Sequence, residues 1–197
     1  MPENFGIVVI EITMDHRTVS SDRKLALLDE SAMEASFGRA KWLTPESQNQ
    51  RHWSGVVGST WWFYFTGPSV DEVWRAYLAH SRAMLDSGVE RPSLICMAHR
   101  ADPPSAEHRR WISDYIAADH VRLRRLRGFA LVMDSPLHVM ALKAINWVVK
   151  KPFPEKVCGS PITAVRWLES LGAELNERAF LNGVRLVVPS EHMWHDL

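Results

Sequence analysis

Nine histidines in 197 residues supply material for acid–base or metal chemistry, and their spacing decides which chemistry is open. His99 stands just ahead of Asp102, with His108 a little further on. A histidine–carboxylate pair can work as a general acid–base couple. The three are read together as a ligand loop, because they follow the apolar run SLICMA (93–98), at the carboxyl end of an expected strand. Open α/β sheets hold their ligands there. No nucleophile stands beside them in a G-x-S-x-G elbow, so ordinary loop contacts are the simpler reading and no catalytic residue is assigned. His192 and His195, followed by Asp196, have the spacing of two ligands on a helical turn but lack the glutamate of H-E-x-x-H. GVVGST (55–60) has no P-loop lysine. No metal and no cofactor are therefore expected.

Two other features are read as binding rather than chemistry. Arg122, Arg124, Arg125 and Arg127 crowd the segment HVRLRRLRG near an expected helix C-terminus, where cations are favoured. They either cap that helix or form a docking patch for an acidic protein surface. Trp61 and Trp62 are adjacent in a strand, so they point to opposite faces. One of them, with Trp53, is expected to face away from the main core and to serve a partner or homodimer interface, since tryptophan and arginine are the usual anchors.

Composition narrows the class. The 23 basic and 23 acidic residues cancel, which removes the long-range field of a general nucleic-acid or acidic-membrane binder. No apolar run approaches a membrane span of about 20 residues. The start, MPENFGIVVIEI, has no basic region ahead of its short apolar run. Cys96 and Cys158 form no CxxC pair and read as buried thiols. A cytoplasmic protein is expected, with no nucleic acid and no membrane as partner.

The elements that must position these residues alternate. FGIVVIEI (5–12) reads as a strand, and Ser20–Phe37 as a partial helix with Ser21 as its cap. Residues 44–54 read as a loop, and Gly55–Gly67 as one strand ended by Gly67-Pro68. Ser69 and Glu72 have the spacing of a capping box for the next helix. Strand 93–98 follows, then a helix from Ser105 to about Arg127, strand 128–134, a helix from Ser135 through Val148, strand 155–160 and a helix from Pro161 to Gly172. VRLVV (184–188) reads as one more strand. Strands separated by helices of this length lie parallel, joined by right-handed crossovers.

This order resembles the STAS fold of anti-sigma-factor antagonists. WWFYFTGPSVDEVWRAYLAHSRAML resembles the entry strand and its helix. SLICMAH and GFALVMDSPLHVMALKAINWVVKK resemble the central strands and third helix, and VCGSPITAVRWLES the closing strand and helix. The resemblance covers about residues 55–172. It implies a mixed or mostly parallel α/β sheet covered by helices. Residues 1–54 and 173–197 fall outside it beyond an N-terminal strand, and are read as an extended N-terminal segment with a strand and a helix, packed on the main domain, and a C-terminal extension. The resemblance further implies a non-enzymatic regulatory module that binds a protein partner, with Ser105 as the phosphorylated position. The family phrase D-S-(S/T)-G is absent: Asp102 is followed by Pro103 and Pro104, and Ser105 by Ala106. A helix-capping serine is the plainer reading there. The alternative is a small-molecule-binding protein or enzyme using His99 and Asp102.

Overall fold

The computed structural model describes residues 42–43, 51–133, 140 and 150–194. Its strands form one sheet in sequence order: β1 (Trp42–Leu43), β2 (His52–Val57), β3 (Thr60–Gly67), β4 (Ser93–Ala101), β5 (Gly128–Met133) and β6 (Glu155–Cys158). The pairs β1–β2 and β2–β3 are antiparallel. The remaining pairs, from β3 to β6, are parallel. Among the described residues the sheet is accompanied by the helices α1 (Asp71–Asp86), α2 (Ala106–Ala118), the short α3 (His120–Leu123), α4 (Pro161–Ser170) and α5 (Glu177–Val187). The mixed, mostly parallel α/β sheet read from the sequence is the one observed.

Alternation along β3 sends Trp62 and Tyr64 to one face and Phe63 and Phe65 to the other. On the first face Trp53, Ile95, Met97 and Val132 join them beneath α4 and α5, through Ala164, Leu168, Phe180 and Val184. On the second, Leu94, Cys96 and Leu131 meet Val73, Trp74, Tyr77 and Ile116 from α1 and α2. Successive parallel strands step in one direction, so right-handed crossovers deliver α1 and α2 to the same side. Both faces are thus covered, and the expected outward tryptophan is not found. Trp62 and Trp53 are buried, and Trp61 packs on the α1 side with its ring 5.0 Å from that of His80.

Several expected elements differ. Residues 55–67 are not one strand: the chain reverses at Gly58 and Ser59, with Val57 opposite Thr60. Gly58 has φ +58°, the left-handed value that two-residue hairpin loops require. A Cβ there would also lie 2.8 Å from the carbonyl oxygen of Glu174. The helix from Ser105 stops at Ala118, because Asp119 leaves helical geometry at φ −100°, ψ 17° before α3 begins. VRLVV is the end of α5 rather than a strand: Asn176 Oδ1 accepts from the Ala179 amide at 3.0 Å. Phe180 and Val184 then face the core at helical spacing. The strand at 5–12, the helix at 20–37, the pair His195–Asp196 and nearly all of the helix from Ser135 lie outside the described residues. The sheet and its cover cross the expected boundaries at 54 and 172, since β2 begins at His52 and α5 packs on the core.

Gly58→Ala is expected to destabilise by about 2 kcal/mol, since strain and a backbone clash combine. Gly88→Ala, at φ +79° but with nothing within 4 Å, should cost about half as much. Urea titration of both variants checks the ranking. His80 gives a second expectation. Its ring is buried on α1, and burial pushes its pKa down to about 3 from 6.5. The unfolded chain therefore binds more protons between those values, and stability rises with pH through that window. From about pH 7 down to about pH 5 the urea midpoint should fall, with this residue contributing at most about 1.4 kcal/mol per pH unit. His52, also lowered by burial, adds in the same direction. In His80→Gln the slope should be visibly shallower.

Candidate functional site

The carboxyl ends of β3 and β4 lead into α1 and α2, and one buried imidazole joins the two helix starts. His108, on the first turn of α2, is 4% exposed. Its Nε2 lies 3.0 Å from Asp71 Oδ1 at the start of α1, and its Nδ1 lies 3.2 Å from Ser69 Oγ. Ser69 Oγ in turn accepts from Trp74 Nε1 at 2.8 Å. A carboxylate can only accept, so Nε2 carries the proton in the neutral imidazole and Nδ1 presents a lone pair to the serine hydroxyl. The ring stacks on Trp74 at 5.6 Å and meets Trp111 edge-on at 5.3 Å. Asp71 is open to water, its side chain 57% exposed.

Local sequence accounts for the arrangement. Ser69 does not cap α1; Val70 is the N-cap and no side chain caps the helix. The serine instead serves the Trp74 indole and His108. On α2, Ser105 is the cap expected from the sequence: its Oγ accepts from the His108 amide at 3.1 Å, and it is exposed. Arg109 Nη1 donates to the Pro104 carbonyl at 2.8 Å and braces the same turn. Arg100, at the end of β4, has φ 48°, a backbone state that costs a side-chain-bearing residue energy.

The expected ligand loop is divided by the sheet. His99 points to the α4/α5 side, its ring 4.9 Å from Trp194 and 6.4 Å from Tyr64. His108 belongs to α2 on the other side. Asp102 is exposed on the connecting loop, its amide donating to the Gly67 carbonyl at 2.8 Å. His192 lies on the His99 side, where its carbonyl accepts from Tyr64 Oη at 2.5 Å. The residues missed from the sequence are Ser69 and Asp71. Their signal was weak, since Ser69 has the spacing of an ordinary cap and Asp71 that of a first-turn acid.

The arginine cluster is largely internal bracing. Arg122 pairs with Asp86 and bonds Asp119 Oδ1 at 3.1 Å. Arg125 donates to the Leu85 and Val89 carbonyls, both at 3.2 Å, closing the end of α1. Arg127 Nη1 reaches the Leu171 carbonyl at 3.4 Å. Arg124 is exposed. Cys96 and Cys158 are buried free thiols, and burial pushes the Cys96 pKa up to about 12. Between the sheet, α1 and α2 lies an apolar cavity lined by Phe65, Trp74, Tyr77, Met84, Tyr115 and Phe129. Ser81 Oγ and Tyr115 Oη, which also border it, are buried without a hydrogen-bond partner among the described residues. Among those residues no group of three histidine, cysteine or carboxylate side chains could hold a metal ion. No described helix is long and apolar enough to cross a membrane.

The fold defines a class, an α/β protein with a mixed sheet covered on both faces. No family model matches the chain, and no curated protein matches it. Among solved structures it is similar to an uncharacterized protein of the DUF3478 family from Shewanella loihica PV-4, described as having a SpoIIAA-like fold. The identity is 15%, over 66% of this chain and 93% of that one, with a TM-score of 0.38. No activity comes to this chain with that likeness.

Ser105→Ala should lose the α2 cap and about 1 kcal/mol of stability, while Ser105→Asp, which can still accept from the His108 amide, should stay within about 0.5 kcal/mol of the parent. Urea midpoints of the two variants measure the difference.

Proposed function

We propose that this chain is a cytoplasmic regulatory module that binds a protein partner through the edge formed by the start of α2 and its neighbouring loops. The observation that supports this reading is the placement of Ser105. Its hydroxyl is open to a modifying enzyme, yet it holds the amide of His108, whose ring joins α2 to Ser69 and Asp71 on α1. A phosphate added there would meet the positive end of the α2 dipole. It would also displace the hydrogen bond that fixes His108, so one charge would be felt by both helix starts. Arg124 and Arg125 are the exposed members of the arginine cluster; they follow α3 at the far end of α2 and offer a separate cationic contact. Trp53 and Trp62 are buried within the chain and take no part in this face.

The test compares proteins retained from extracts of the native cells by the parent, by Ser105→Glu and by Arg124→Glu. A partner held by the parent should be lost or reduced at least tenfold by Ser105→Glu and weakened by Arg124→Glu. Retention of the same proteins at equal yield by all of these baits would reject the proposed face. A second reading, a small-molecule site, is favoured by one observation: the apolar cavity beneath α1 and α2, rather than the His99–Asp102 loop.

A further inference from the structure

We infer that Ser69, His108 and Asp71 form a nucleophilic relay, and that the chain hydrolyses small neutral carboxylic esters at Ser69. This goes beyond the binding role and does not rest on it. The required contacts are made by side chains from different elements. Ser69 Oγ is 3.2 Å from His108 Nδ1, and His108 Nε2 is 3.0 Å from Asp71 Oδ1. That is the order nucleophile, base, orienting carboxylate, with the two imidazole nitrogens exchanged relative to the usual serine hydrolase arrangement. The imidazole is held between Trp74 and Trp111, so its lone pair is aimed without further ordering. Trp74 Nε1 donates to Ser69 Oγ at 2.8 Å and stabilises negative charge on that oxygen as its proton leaves. Ser69 is only half-buried, and its neighbours Pro68 and Val70 are exposed, so an ester can approach from solvent.

The step balances within the chain and water. Ser69 Oγ forms a bond to the ester carbonyl carbon while its proton passes to His108 Nδ1. The carbon–oxygen bond to the leaving group then breaks, and that proton goes to the departing alkoxide or phenoxide. Water attacks the acyl-serine, gives a proton to His108 and releases the carboxylic acid, and the proton returns to Ser69. No side chain caps the amides at the start of α1, which leaves that turn free to donate to the tetrahedral oxyanion. Asp71 and Glu72 occupy the same turn, which disfavours an anionic substrate and helps expel the acid product. A neutral ester is therefore the expected substrate class.

The experiment uses the full chain with p-nitrophenyl butyrate and a fluorophosphonate probe. Expected are probe mass on the peptide containing Ser69, and hydrolysis that falls at least a hundredfold in Ser69→Ala. Asp71 is exposed, so Asp71→Asn should fold as the parent does, verified by an unchanged urea midpoint; its hydrolysis should drop at least tenfold with KM little changed. Absence of probe on Ser69, or equal hydrolysis by the parent and Ser69→Ala, overturns the proposal. An Asp71→Asn rate equal to that of the parent removes the relay even if Ser69 is labelled. Partner retention by Ser69→Ala, measured separately, distinguishes this failure from failure of the regulatory reading.

Discussion

A strand that carries large aromatic rings on both of its sides cannot sit at the surface. β3 holds Trp62 and Tyr64 on one face and Phe63 and Phe65 on the other, all buried. Each such ring removes roughly 150–250 Å² from water, so leaving either face open would forfeit several kcal/mol. Right-handed crossovers can supply helices to only one side of strands that step in a single direction. The other side must be covered by chain outside those crossovers, and α4 and α5, which follow the last strand, lie on it. That requirement explains why α4 and α5 turn back across the sheet, and why Ala164, Leu168, Phe180 and Val184 lie against Trp62 and Tyr64. It also explains why VRLVV is helical. An edge strand there would have left Trp53 and Trp62 bare, whereas a helix lays Phe180 and Val184 over them.

Much of this was legible in the residues. The alternation of apolar runs with amphipathic segments gave the parallel order from β3 to β6, and Pro161 marked the start of α4. The hairpin at Gly58–Ser59 was missed because β2 and β3 join through only two residues, so their apolar runs merge into one. The polar stretch up to Ser54 read as loop, but His52, Trp53 and Ser54 pair with β3, and pairing with a neighbour can override a polar composition. Ser69 was misassigned for a different reason. A serine before a helix is a cap by local rules, and only the tertiary approach of Trp74 and His108 offers its hydroxyl better partners.

The binding candidates failed or survived on which side of the sheet they fell. His99 and His108 are close in sequence, but strand alternation fixes His99 on the α4/α5 side while the α2 crossover carries His108 to the opposite one. Sequence proximity at a strand end therefore does not imply one site. The arginines show the converse. Their clustering near a helix end was real, yet the carbonyls of Leu85, Val89 and Leu171 and the carboxylates of Asp86 and Asp119 absorb three of the four. Those contacts close the end of α1 and tie the α3 turn to its surroundings. Arg124 is the exposed member of the group to which no such internal contact is assigned, while Arg125 is exposed but spent on the end of α1.

His108 is where packing and polarity meet. Burying an imidazole costs free energy unless both ring nitrogens find partners, and here each does, through Asp71 and Ser69. The two partners lie on the α1 side while the ring and its capped amide lie on α2, so neither helix start can shift without disturbing the other. A change at Ser105 acts on the His108 backbone, and a change at Ser69 or Asp71 acts on its ring. The same residue can therefore transmit a modification at the surface and orient a hydroxyl beneath it. The tautomer imposed by Asp71 holds that link together, because it leaves a lone pair on Nδ1 for the Ser69 hydroxyl.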